Sequence, residues 1–345
     1  MNKVVVGGII VVVIIAVAIF FFYSPSQPIE EPREEGVMTG LEIARLTSDY
    51  IDTQKTAEGI YSYSSHCEPN CPQGFSGSFH TTNAWTSLAN TGLYSATGDK
   101  NYLNNAKKDA DVLIEWCADK TSECLWVLVQ INELYKTTND AKYLDFLTNA
   151  GDVLLETPAF EHGMISGIEA RELALLYELT GDTKYLDESL VRLDKSKSLA
   201  DSSQILYAFG GFEVHDTVCW NVLAEAELYA VTQDDKYLEN VNLFFTKSNV
   251  KKYTNQLIFL SNIQPCIESL LALYAATGDV KYKEDAIAMA EYVITNTWDS
   301  AESKKAFGEG AFLMESGSTL NSLTDSGYMV FLLSKLKSEK FRILK

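Results

Sequence analysis

A single turn signature recurs five times along the chain, and it fixes the kind of fold available. It reads LYSATGDKNYL at 93–103, LYKTTNDAKYL at 134–144, LYELTGDTKYL at 176–186, LYAVTQDDKYL at 228–238 and LYAATGDVKYK at 273–283. The leading tyrosines, Tyr94, Tyr135, Tyr177, Tyr229 and Tyr274, are spaced by 41, 42, 52 and 45 residues. Internal repeats of that length are stacked supersecondary units. Gly98, Gly181 and Gly278 suit the left-handed position that ends a helix, Asn139 tolerates it, and Gln233 departs from the pattern. The next residues, Asp99, Asp140, Asp182, Asp234 and Asp279, suit the N-cap of a following helix. Each copy therefore reads as helix, tight turn, helix.

The two helices of each copy differ in character. After the turn, Leu103, Ala106, Ala110 and Leu113 follow a helical 3,4,3 spacing, as do Leu144, Leu147, Gly151 and Leu154, with polar residues on the other face. Before the turn, stretches such as LLALYAA and LALLYEL are apolar nearly all round, the mark of a helix buried on most sides. Inner, buried helices are expected near 82–97, 123–138, 165–180, 217–232, 264–277 and 322–337. Outer, amphipathic ones are expected near 39–55, 100–116, 141–156, 184–199, 235–248 and 280–297.

With its LYxxTGDxKYLxxA turns, the stretch from about 38 to 338 resembles the six-hairpin glycosidase-like superfamily. That resemblance implies an all-α fold, an (α/α)6 toroid of six inner and six outer helices. Tetratricopeptide arrays are the rival, but their period is about 34 residues with short turns on both sides. Here one class of connection is long and variable: 56–81, 117–122, 157–164, 200–216, 249–263 and 298–321. In an alternating toroid all six emerge on one rim, around the N-termini of the inner helices. Irregular loops on a rigid scaffold commonly carry binding and catalysis.

A transmembrane helix is expected before the toroid. Val4 to Tyr23 carries no charge, and twenty residues at about 1.5 Å each span a bilayer's hydrocarbon core. Lys3 precedes the run, and Glu30, Glu31, Glu34 and Glu35 follow it with only Arg33 opposing. The positive-inside rule then leaves residues 1–3 in the cytoplasm, 4–23 as the anchor, 24–37 as a Pro/Glu linker and 38–345 as an extracytoplasmic toroid domain. A cleaved signal peptide is the alternative, but the run is long for one and no A-x-A-like site follows it. Six cysteines suit that compartment. Sequence proximity favours Cys67–Cys71 and Cys117–Cys124, leaving Cys219–Cys266.

The net charge of −19, with no basic tract, argues against a nucleic-acid partner. No P-loop, GxGxxG, GxSxG or HExxH occurs, so no cofactor is expected. His66-Cys67-x3-Cys71 and His215-x3-Cys219 have zinc-ligand types, but an extracytoplasmic setting favours disulfides, so no metal is expected.

The superfamily hosts glycoside hydrolases, unsaturated glucuronyl hydrolases, N-acylglucosamine 2-epimerases and lanthionine cyclases. The resemblance therefore implies a carbohydrate or glycan ligand, with glycoside hydrolysis the first expectation. The alternatives are a glycan- or protein-binding scaffold without catalysis, and a sugar epimerase. Hydrolysis needs two carboxylates flanking one bond. Asp216, in GGFEVHDTVCW, is the first candidate, followed by Glu169 and Asp325. Glu169 and Glu172 read as sharing one face of the third inner helix, with Arg171 between them in sequence. Substrate binding is expected from His80, Trp85, Trp126, His162, Arg171, Glu172, Phe212, His215 and Trp220, where flat rings suit a sugar's apolar face. Each has a plainer role: a helix cap for Asp216, a paired helix start for Glu169, loop packing for the rings and histidines.

Overall fold

A computed structural model describes residues 36–55, 79–117, 124–200, 212–248, 260–298, 310, 312 and 323–343. The chain divides into two units, Met1–Val37 and Met38–Lys345. The expected membrane run at 4–23 lies outside the described residues. Among those described, no helix is long and apolar enough to cross a membrane.

Twelve helices occur among the described residues of the second unit. The inner ones are α2 (Phe79–Thr97), α4 (Leu125–Thr138), α6 (Gly163–Thr180), α8 (Phe212–Thr232), α10 (Leu260–Thr277) and α12 (Leu323–Lys335). The outer ones are α1 (Gly40–Asp52), α3 (Lys100–Cys117), α5 (Ala141–Glu156), α7 (Thr183–Ala200), α9 (Asp235–Ser248) and α11 (Val280–Thr297). Each inner helix packs on the next inner helix, and α12 packs back on α2, so the inner ring is closed. Two short strands, β1 (Val37–Thr39) and β2 (Lys340–Arg342), pair in a two-stranded sheet. The Gly40 N–H also donates to the Glu339 carbonyl at 2.9 Å. This is the (α/α)6 toroid that the repeats imply.

The repeated turn explains itself atom by atom. Gly98, Asn139, Gly181, Gln233 and Gly278 all take positive φ, between 52° and 73°, so the irregular Gln233 adopts the same left-handed turn as the glycines. Each donates its N–H to the carbonyl of its repeat tyrosine at 2.7–2.8 Å. The aspartates then cap the outer helices, accepting from the N–H of Asn101, Lys142, Lys184, Lys236 and Lys281 at 2.9–3.3 Å. The Lys-Tyr pair that follows ties outer helices together. Lys142 reaches Asp111 at 2.6 Å and Lys184 reaches Asp152 at 2.8 Å, while the Tyr185 hydroxyl donates to Asp152 at 2.8 Å.

Burial separates the two helix classes as the periodicity implies. In α5 the buried residues are Tyr143, Leu147, Ala150, Gly151 and Leu154, one stripe. In α6 every residue from Ser166 to Leu176 is buried. Close helix approach is paid for with small residues: a Cβ on Gly327 of α12 would stand 2.7 Å from the Trp85 carbonyl oxygen of α2.

Three inner helices begin earlier than the periodicity suggests. Helices α2, α8 and α10 start at Phe79, Phe212 and Leu260 rather than near 82, 217 and 264. His80 is the second residue of α2, His215 the fourth of α8 and Asp216 the fifth, at or just past the first turn, where polar side chains are common. These three residues therefore lie within helices, not in the loops before them, and Asp216 is not the N-cap of α8.

Candidate functional site at the toroid mouth

Four aromatic rings from four inner helices meet near the N-terminal end of the ring. Trp85 of α2 stacks on Tyr328 of α12 with ring centroids 4.2 Å apart. Trp126 of α4 lies 5.5 Å from Trp85 and 5.6 Å from Trp220 of α8, and Trp220 lies 6.3 Å from Tyr328. Trp85, Trp220 and Tyr328 are 2–3% exposed, whereas Trp126 is half-buried. The three tryptophans stand nine residues before Tyr94, Tyr135 and Tyr229, so the repeat itself sets them at one level. The expected sugar platforms are thus mostly a mutual plug, and among these tryptophans only Trp126 keeps an accessible face. The Cys219–Cys266 disulfide joins α8 to α10 beside Trp220, and Cys117–Cys124 spans the α3–α4 connection. Both match the expected pairing; Cys67 and Cys71 lie outside the described residues.

A buried ionic cluster meets these rings at Tyr328. The Arg171 guanidinium of α6 donates to Glu172 at 2.5 Å and to Glu268 of α10 at 2.7 Å, and Glu227 of α8 stands 3.8 Å away. The Tyr328 hydroxyl donates to the other Glu268 oxygen. Asn132 of α4 donates to Glu172 at 3.4 Å. Residues from five inner helices can share one contact network only on the faces turned towards the toroid axis. Arg171, Glu172 and Glu268 are 1–3% exposed. Burial opposes the Arg171 charge, but Glu268, Glu172 and Glu227 more than offset it and hold the guanidinium charged. Burial pushes the Glu172 and Glu227 carboxyls up, only partly countered by Arg171. Burial and then the Glu268 charge push the Tyr328 hydroxyl well up. Arg171 and Glu172, expected to touch substrate, bind each other here.

Glu169 does not share that environment. It is fully buried and accepts from Arg192 of the outer helix α7 at 2.9 Å. Arg192 also donates to Glu188 and to the carbonyls of Leu154 and Thr157, which fastens the α5–α6 connection. Burial pushes the Glu169 carboxyl up against the pull of Arg192. Glu169 and Glu172 therefore point to different neighbours, contrary to the shared face read from their spacing. Three residues along a helix leave the two side chains about 60° apart, enough on a helix buried all round for each to meet a different neighbouring helix.

The remaining candidates divide by what is described. His162 occupies the N-cap position of α6, half-buried, without a side-chain capping bond. Glu161 beside it is largely exposed and pairs with Lys195 at 2.7 Å. Asp325 is buried in the first turn of α12, where its carbonyl accepts from Gln264 at 2.7 Å. The backbones of His80, Phe212, His215 and Asp216 are helical, but their side chains lie outside the described residues. No group of three metal-ligating side chains forms among the described residues.

Sequence reasoning passed over Tyr328, Glu133 and Glu227. The repeat frame carried a signal for the two glutamates. Glu133 and Glu227 each stand two residues before a repeat tyrosine, and Arg171 and Glu268 each stand six before one.

No protein-family model matches the sequence, and no curated protein matches it. Solved structures do. The chain is similar to a glycoside hydrolase family 76 mannosidase from Bacteroides thetaiotaomicron VPI-5482, with 14% identity over 86% of this chain and 98% of that one and a TM-score of 0.64. It is similar to an inactive variant of the alpha-1,6-mannanase of Salegentibacter sp. HEL1_6 in complex with alpha-1,6-mannotriose, with 16% identity, 86% and 99% covered and a TM-score of 0.62. An unsaturated glucuronyl hydrolase specific for heparin gives 14% identity, 86% and 96% covered and a TM-score of 0.64. These likenesses show the fold, the (α/α)6 toroid that the turn motif implies.

Proposed function

We propose that the protein is a membrane-anchored, extracytoplasmic carbohydrate-active toroid, and that its reaction is hydrolysis of a glycan or oligosaccharide at the mouth. The observation that carries this reading is the closed inner ring, shared with glycoside hydrolases, floored by aromatic rings with the Trp126 face accessible. A sugar's apolar face would stack there. The anchor is the apolar run Val4 to Tyr23.

Hydrolysis requires one carboxyl to protonate the leaving oxygen and a second to activate water or attack the anomeric carbon. Glu169, Glu172 and Glu268 are each committed to an arginine. We assign this chemistry to Asp216, the first candidate from the sequence, with Asp325 as its partner. Asp216→Asn in the full chain is expected to leave the melting temperature unchanged and abolish cleavage. Alpha-1,6-mannotriose and mannotetraose, held by two structural neighbours, are the first oligosaccharides to try.

The same arginine pairings favour a second reading, a glycan-binding scaffold without catalysis. It predicts saturable binding that Trp126→Ala weakens, with no cleavage product at any enzyme concentration.

A further inference from the structure

The axial cluster contains more carboxylates than cations. Among the described residues, those turned towards the axis are Glu133, Glu172, Glu227 and Glu268, against Arg171, Lys136 and Lys335. They come from α4 (Glu133, Lys136), α6 (Arg171, Glu172), α8 (Glu227), α10 (Glu268) and α12 (Lys335, with Tyr328). Helix α2 contains no Asp, Glu, Lys or Arg. Glu178 of α6 also reaches Lys136, at 2.9 Å, but is half-exposed and screened by solvent. One guanidinium thus faces three carboxylates, and only two of them are within hydrogen-bond distance. Glu227, at 3.8 Å and 13% exposed, has the weakest hold on it. Like charges sharing one buried cation cannot all stay ionised without a large desolvation cost. A proton is the least costly fourth positive charge.

We propose that the axis holds one proton, shared between Glu172 and Glu227, and that its loss on alkalinisation loosens the inner ring beneath the mouth. The toroid is in this sense built for a mildly acidic medium.

The directions of titration agree. Burial raises Glu172 and Glu227, so the folded chain keeps protons there that the unfolded chain has lost. Stability from these two is present at low pH and declines as pH rises past the ordinary carboxylate range, about 4.3, towards their raised values. Glu133 opposes this: burial pushes it up, but Lys335, Lys136 and Arg171 outweigh burial and hold it down, so its contribution is lost on acidification. Glu172 and Glu227 thus favour the acidic side, and Glu133 opposes them.

The test is thermal unfolding of the full chain and of Glu227→Gln at about pH 5.5 and about pH 8. Comparing the two proteins at each pH cancels contributions from carboxyls elsewhere, such as Asp109 and Glu169. The variant should gain about 2–4 °C on the wild type between the two conditions. A difference between the proteins that is the same at both pH values overturns the proposal. If Glu227→Gln does not fold, Glu172→Gln is read in the same way. Failure of both variants to fold at the acidic pH also overturns it, because the site would then require both charges.

Discussion

The two rims of the toroid are made by opposite rules. On one rim, five inner-to-outer turns repeat the same bonds: a left-handed residue, a carbonyl from the repeat tyrosine and an aspartate cap. Even Gln233 bends to that geometry. On the other rim, the connections differ in length and content, and the helices below them carry the rings, the disulfides and the charges. Uniformity marks the places where the chain is only being stitched. Departure from uniformity marks the places where side chains have been put to other use, and that is where a ligand should be sought.

Four changes would break or sharpen this contrast. Arg171→Met should have the largest effect, on the order of 3–5 kcal/mol of stability, because it leaves Glu172 and Glu268 buried without a cation. Denaturant unfolding measures it, and a loss under about 1 kcal/mol would mean the axis is wetter than its burial implies. Replacing Cys219 and Cys266 together by Ser should cost about 2–4 kcal/mol, again read by unfolding. On the uniform rim the effects should be smaller. Asp279→Ala should cost about 1 kcal/mol, by loss of the cap on Lys281 N–H. Gln233→Gly should stabilise by up to about 1 kcal/mol, because it relieves a non-glycine residue at φ 56°. If that last substitution destabilised, the hydrogen bonds of the Gln233 amide to Tyr229 and Ala230 would outweigh the backbone strain.

The titration of Asp109 offers a further, outer-belt measurement. Burial pushes this carboxyl up to about 7, and one of its oxygens is buried without a hydrogen-bond partner among the described residues. Its folded value is raised, so its ionisation costs stability as pH rises through about 7. Asp109→Asn should therefore raise the melting temperature at about pH 8, and by much less at about pH 5.

The scaffold was legible because local chemistry alone determines it. A left-handed residue followed by an aspartate means a helix end and a helix start wherever it occurs, and one apolar stripe versus all-round burial separates α5 from α6. The axis was less legible. Whether Glu169 meets Arg192 and Glu172 meets Arg171 depends on which neighbouring helix faces each side of α6, and spacing along α6 does not carry that information. Tyr328 lacks the repeat motif downstream, so nothing aligned it with Trp85, Trp126 and Trp220. The start of α8 at Phe212 was hidden too, because EVHD reads equally as a loop with a cap and as a first turn.

The central claim is that the irregular rim acts on carbohydrate through Asp216. The direct measurement is product formation from alpha-1,6-mannotriose and a panel of other neutral oligosaccharides, by the full chain and by Asp216→Asn. The account predicts cleavage of at least one oligosaccharide by the native chain, abolished in a variant that melts at the same temperature. Equal turnover by both proteins would contradict it.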